Sequence, residues 1–312
     1  MKAAIYTITA LVAFAANSLL CRMALFEGYI DPWNFTVIRL LGGAICLAMI
    51  MTVHQRRLQN QSMLNKDNPD TDTAVILNEQ ILNDKGSWLS SLSLVAYALC
   101  FSLAYVELDT GTGALILFAA VQFTMIGWGI YQKERINAVQ WLTLVTAFAG
   151  FVYLMLPSST VPSLFGAITM MVSGMAWGIY SIRGKACISP LRATGFNFIR
   201  SLVVLPLLLL AGINYLADIN IEGILLAGVS GAITSGIGYS IWYVAMPLLE
   251  STQAAVVQFC VPILAAIAGM LFLSEALTLR FIIASTIILG AVLVFVLNKR
   301  IPKSPVRVKI VN

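Results

Sequence analysis

Apolar residues run along this chain in stretches of about 20, each closed by polar residues or by Pro and Gly. At about 1.5 Å of rise per residue, that length spans the roughly 30 Å of a bilayer's hydrocarbon. Stretches near residues 3–25, 33–53, 88–106, 111–131, 137–156, 162–182, 194–212, 223–246, 252–273 and 279–298 therefore predict ten transmembrane helices in an all-α polytopic membrane protein. Connections such as Glu107 to Thr110 and Pro157 to Pro162 are too short to hold a folded unit, so consecutive helices are expected to pack antiparallel. One connection differs. Residues 54–86, from His54 to Gly86, are rich in Asn, Asp and Gln and read as a flexible loop with one surface helical turn around Thr73 to Leu82.

Composition agrees with the pattern: of 312 residues 59% are hydrophobic and 11% charged, with a mean hydropathy of +0.88. A soluble domain carries about 25% charged residues, so the bilayer is the solvent expected for most of this chain. Lys2 and the uninterrupted run after it read as a retained first helix, without a cleavage site. With the N-terminus inside, 15 of the 19 Lys and Arg fall on the inner side, Arg280 alone outside, and Arg22, Arg39 and Arg200 within helices. Because cytoplasmic loops retain Lys and Arg, both termini are expected in the cytoplasm and the protein in the cell's inner membrane. The net charge of +5 is scattered over short loops and makes no nucleic-acid surface. Cys21, Cys46, Cys100, Cys187 and Cys260 stand singly, with no CxxC, so neither a disulfide framework, a metal site nor another cofactor is expected.

The chain also repeats itself. An offset of 161 residues pairs Arg22 with Arg183, Phe35 with Phe196 and Arg39 with Arg200; later an offset of 141 pairs Phe118 with Phe259 and Glu134 with Glu275. The long loop of the first half accounts for the change. Halves of five helices insert in opposite senses, and such inverted repeats are how many secondary transporters alternate access. The expected organisation is a first repeat over residues 1–156, a second over 162–298 and a basic cytoplasmic tail over 299–312. In its order of motifs the chain resembles the EamA family of the drug/metabolite transporter superfamily. These motifs are Asp31-Pro32 before Phe35 and Arg39, Gly111 to Gln132 before Glu134, Ser173 to Gly178 with Trp177, Arg200, and Thr252-Gln253-Ala254-Ala255 through Pro262 to Ser274-Glu275. One departure is Pro262 in the second fourth helix, where the first has Val121-Gln122. The resemblance implies a metabolite exporter with a central cavity between the halves, the solute being a small metabolite such as an amino acid.

A solute stripped of water needs polar partners at mid-membrane, where such groups are costly unless used. Asn17, Gln122 and Gln258 lie near the centres of helices one, four and nine and offer both donor and acceptor; helix-to-helix bonding is the blander role for each. In the family, helices six and eight face each other across the cavity, which brings forward Trp177, Tyr180, Tyr239 and Trp242 as stacking surfaces. Trp33, Trp88 and Trp141 near span ends read as interfacial anchors. Arg39 and Arg200, about six residues inside their helices, are expected to snorkel outward in a structural role. Arg22 is expected to pair with Glu27 or Glu107. Gly236, Gly238 and Pro262 are candidate hinge or gating positions.

No carboxylate lies at mid-membrane, so proton coupling finds no support. Two alternatives compete with a carrier. An intramembrane enzyme draws on Gly228-Val229-Ser230-Gly231, but the base it needs within hydrogen-bond reach is not in place, since the only histidine, His54, falls in the cytoplasmic loop at the end of the second helix, and no HExxH or phosphate loop is present; the expectation is not an enzyme. A channel would need a filter or charged ring, and none is legible.

Overall fold

The computed structural model describes residues 2–64, 79–133, 136–155, 163–250, 253–254, 257–276 and 278–297. The 157–162 connection, Glu134, Thr252, most of the Thr73–Leu82 turn and the 299–312 tail lie outside the described residues. The described chain forms α1 (Lys2–Phe26), α2 (Pro32–Leu64), α3 (Trp88–Tyr105), α4 (Thr110–Tyr131), α5 (Ala138–Met155), α6 (Leu164–Gly184), α7 (Pro190–Ala211), α8 (Ile221–Leu248), α9 (Cys260–Leu273) and α10 (Leu279–Leu297). Seven of these, α1 to α4 and α6 to α8, are long and apolar enough to cross a membrane by length and composition. The described portions of α5 and α9 are shorter apolar helices.

Local sequence explains the helix ends and their irregularities. At α2, Pro32 occupies the first turn while Asp31 Oδ1 accepts from the backbone N–H groups of Trp33 and Asn34, at 2.9 and 3.1 Å. Ser87 and Ser163 cap α3 and α6, and Asn137 and Gln140 cap α5 reciprocally. The second helix does not end at residue 53 as its apolar run suggests, but continues to Leu64. Residues 54–64 contain neither Pro nor Gly, and Gln, Arg, Leu and Met are good helix formers, so leaving the apolar environment does not stop the helix. Residues 79–83 are helical, at the end of the turn expected around Thr73 to Leu82.

Three helices change pitch. In α7, Leu202–Val204 tightens to 3-10 geometry because Pro206 has no N–H to give the Leu202 carbonyl. At the start of α9, Pro262 likewise cannot bond Gln258, whose carbonyl accepts instead from Val261 N–H at 3.0 Å, and the chain turns at Gln258 and Phe259 just before the helix. No such break interrupts α4 at Gln122. The third change is a π-helix over Ser230–Ile237 in α8, whose wider i→i+5 turn often marks functional sites.

The helices pack in a regular pattern: α3 on α6 and α1 on α8, α4 on α6 and α9 on α1, α3 on α7 and α2 on α8, with α2 on α7, α4 on α9 and α5 on α10. Where α2 meets α8, the two backbones touch. A Cβ at Gly42 would lie 3.1 Å from the Gly228 carbonyl oxygen, and one at Gly231 would fall inside the Arg39 carbonyl group. Small residues here let the chains approach to backbone contact.

The connections sort into two ends. At one, Asn220 N–H donates to Tyr29 O, Asn34 to Gly212 O, and Arg22 meets residues of the α3–α4 and α9–α10 connections. At the other, Ile188 and Ser189 N–H donate to Asp84, Ser87 N–H to Asn197, and Arg192 and Arg200 to the carbonyls of Leu82 and Lys85. Burial and the Asp84 carboxylate push the Cys187 thiol at this end up to about 12, so it stays protonated at neutral pH.

Candidate functional site

Halfway between those ends, a polar and aromatic cluster closes on itself. Asn17 Oδ1 accepts from Ser230 Oγ (2.7 Å), Thr234 Oγ1 (3.0 Å) and Ser235 Oγ (3.4 Å), all on the π-turn of α8. In a regular helix residues 230, 234 and 235 do not share a face; the wider turn gathers them onto one amide. Asn17 Nδ2 donates to Tyr97 OH at 3.1 Å. That phenol also takes Arg39 Nη2 and Tyr239 OH, each at 3.0 Å, while Arg39 reaches Tyr239 OH at 2.6 Å and Ser235 Oγ at 3.0 Å. Every member is at least nine-tenths buried, Asn17 and Arg39 at 1% exposure.

Aromatic rings wall the cluster. Phe14 lies edge-on to Trp177, Tyr239 and Trp242, at centroid distances of 5.1, 5.9 and 5.5 Å. Trp177 also packs on Tyr97 (5.0 Å), Tyr239 (4.5 Å) and Tyr180 (5.5 Å). Each indole finds an acceptor: Trp177 Nε1 donates to Gln258 Oε1 at 3.0 Å and Trp242 Nε1 to Ser181 Oγ at 3.1 Å. Gln258 Nε2 donates to Ala254 O at 2.8 Å and lies 3.4 Å from Met125 Sδ, so the turn just before α9 carries this side chain.

Toward the first end lies Arg22, which is only 7% exposed at its side chain and lies 3.7 Å from Glu275 Oε1 and 3.5 Å from Asp109 Oδ1. These replace the partners expected for it, Glu27 and Glu107; Asp109 lies two residues beyond Glu107 in the same connection. The Asp109 side chain is 69% exposed, so water screens that contact, and Glu275 at 19% is the stronger partner. Glu275 also caps α4, accepting from Thr110 N–H (3.1 Å) and Oγ1 (2.9 Å). It fits there because Gly269 has no Cβ to occupy its place. The other end is held by hydroxyls: Arg183 donates to Ser87 and Ser90 at 3.0–3.3 Å beside a polar pocket of about 180 Å³.

The structure thus brings together Asn17, Trp177, Tyr180, Tyr239, Trp242 and Gln258. Gln122 is buried but lines a different space, an apolar groove of about 310 Å³ beside α4 and α5 with Phe123, Trp141 and Phe148. Gly238 packs on Ala13, Gly236 lies in the π-turn and Pro262 just after the turn before α9. Sequence reasoning missed Tyr97 and misjudged Arg39. Arg39 does not snorkel; it is sealed in the cluster, whereas Arg200 bonds Lys85 O and lies over Trp88 at the end of the bundle. Equal depth in two helices says nothing about which side faces the core. Ser230, the one serine placed as a nucleophile would be, spends its hydroxyl on Asn17, and His54 lies on another groove with Arg57 and Leu191.

Residues 164–297, the part that supplies Trp177, Tyr239, Trp242 and Gln258, match the EamA-like transporter family. An uncharacterized protein of Pseudomonas aeruginosa is 40% identical over 92% of this chain and 91% of its own. An uncharacterized transporter of Archaeoglobus fulgidus is 27% identical over 67% of this chain and 75% of its own. The chain belongs to the EamA-like transporter family. As an EamA-like protein within the drug/metabolite transporter superfamily, it is a multi-pass membrane transporter. Its fold also matches a solved crystal structure with a TM-score of 0.61 at 16% identity, covering 93% of this chain and 96% of that one.

Proposed function

We propose that this protein is a carrier that exports a small metabolite, such as an amino acid, across the inner membrane by alternating access between two inverted halves of five helices. The observation that carries this reading is the closed cluster at mid-bundle: its bonds run between the halves, from Asn17, Arg39 and Tyr97 to Ser230, Thr234, Ser235 and Tyr239, and polar closures lie beyond it at both ends. A solute taking over those bonds would part the halves on one side at a time.

Two features support the repeat. Every major helix contact maps onto another, or onto itself, when five is added to both helix numbers. Lys133 and Ser274, which end α4 and α9, share a left-handed backbone at φ 62° and 53°, and the 141-residue offset pairs them. Ten crossings with both termini in the cytoplasm place Asp109, Asn220 and Glu275 together outside, and Asp84, Arg183 and Ser189 together inside, as their contacts require.

Proteoliposomes holding the purified protein and preloaded with amino acids, organic acids, polyamines or nucleosides test the reading. Saturable release of one class is expected, and linear, unsaturable flux would favour a channel. Asn17→Ala and Gln258→Ala should each slow release by roughly 5–100-fold, the worth of a buried hydrogen-bonding group, at unchanged yield and insertion. Gln122→Ala alters the lateral groove and should slow release by less. Normal rates in both of the first two variants would remove the cluster from the binding site.

A further inference from the structure

Arg39 is a charge without a countercharge. It sits seven residues into α2, about 10 Å along the helix, and is 1% exposed. Among the described residues no Asp or Glu is buried, and no carboxylate lies within 4 Å of Arg39. Its neighbours are the rings of Tyr97 and Phe101, 5.1 and 5.0 Å from the guanidinium carbon, and three hydroxyls. Of its five N–H groups, those on Nη1 meet no acceptor. Asn17 Nδ2 and the hydroxyls of Tyr97, Tyr239 and Ser235 add further donors. The cluster is therefore rich in donors and net positive, at a depth where an unpaired charge is expensive.

We propose that Arg39 anchors the carboxylate of the transported solute, and that the solute class is the small organic acid with an aromatic or apolar body. This rests on the carrier reading and adds the substrate's charge to it. Arg39 and Tyr97 belong to the first half, Tyr239 and Ser235 to the second. When the halves part, Nη2 loses Tyr239, and with the idle Nη1 it presents the two parallel donors that a carboxylate takes bidentately. Trp177, Phe14 and Trp242 supply the apolar wall. An ammonium group would find no carboxylate here, so acids without one should bind better than zwitterions, and zwitterions better than amines.

The test is thermal unfolding of the purified full-length protein at neutral pH with phenylacetate, its neutral amide phenylacetamide, phenylalanine and phenethylamine. Phenylacetate should stabilise saturably, with the amide at least about 30-fold weaker, since leaving one partner of a buried charge pair alone costs about 2–5 kcal/mol. Arg39→Gln should level acid and amide, and Arg39→Lys should restore part of the preference by keeping the charge without the fork. Should either variant fail to fold, the acid-to-amide comparison on the wild-type protein still decides. Amide or amine stabilising as strongly as the acid, no stabilisation by the acid, or an undiminished preference in Arg39→Gln would each overturn the proposal. Saturable release of a neutral or cationic solute from proteoliposomes would overturn this proposal and leave the carrier standing, whereas absence of saturable release of any solute would count against the carrier itself.

Discussion

Gly231→Ala should abolish the folded protein or leave it severely destabilised, whereas Gly228→Ala, one turn earlier on the same helix, should be tolerated. Both glycines lie in α8. A methyl at 231 would meet the Arg39 carbonyl group and its Cα, the latter at 2.9 Å, so the obstacle is backbone that cannot rotate away. Overpacking of this kind costs about 1–3 kcal/mol or more, and here it also pushes α2, which carries Arg39, off the helix that holds Ser235 and Tyr239. At Gly228 a methyl meets nothing within 4 Å, and the helix gains about 0.8–1.0 kcal/mol of intrinsic propensity. Thermal unfolding in detergent, read by size-exclusion chromatography, compares the two. Equal behaviour of the two variants would show that the α2–α8 contact is looser than described.

Glu275→Gln should open the end of the molecule where Arg22 lies. The amide keeps the shape and an acceptor for Thr110 but loses the charge facing Arg22. At 3.7 Å the two charges attract without a hydrogen bond, and a partly exposed pair of this kind contributes up to about 1 kcal/mol, so opening should become up to roughly fivefold more frequent. Cys21, fully buried and next to Arg22 in α1, reports it. With Cys46, Cys100, Cys187 and Cys260 replaced by alanine, a membrane-impermeant thiol reagent applied to the side that the proposed orientation makes external should modify Cys21 faster by that factor. Unchanged labelling would mean that the pair does not hold this end shut. Asp109→Asn should change the rate far less, because Asp109 is mostly exposed.

The helical architecture was legible because the bilayer imposes one length on every apolar run, and the breaks at Pro206 and Pro262 follow from a missing N–H. The second helix was misjudged at residue 53 because hydropathy reports where apolar surroundings end, whereas helix formation continues through Gln and Arg. Within the site, Trp177 and Gln258 stood out as polar or aromatic groups in apolar runs, and they bond one another. Tyr97 sits among other aromatics in a run that reads as plain apolar helix, and nothing local announces that its phenol joins Asn17, Arg39 and Tyr239. Partners 58 and 142 residues apart are set by tertiary packing. Arg22 shows the same limit, since the two acids expected for it, Glu27 and Glu107, give way to Glu275 across the bundle.

Under the alternating access proposed above, the glycine contact between α2 and α8 has a mechanical meaning. Side chains that interdigitate must climb over one another when two helices rotate, but bare backbone at Gly42, Gly43 and Gly231 presents no such teeth. The seam is then the fulcrum: displacement is smallest beside it, at Arg39 and Ser235, and grows toward Arg22 and Arg183 at the two mouths. In the proposed mechanism a solute would then be held where displacement is least, while the ends move most.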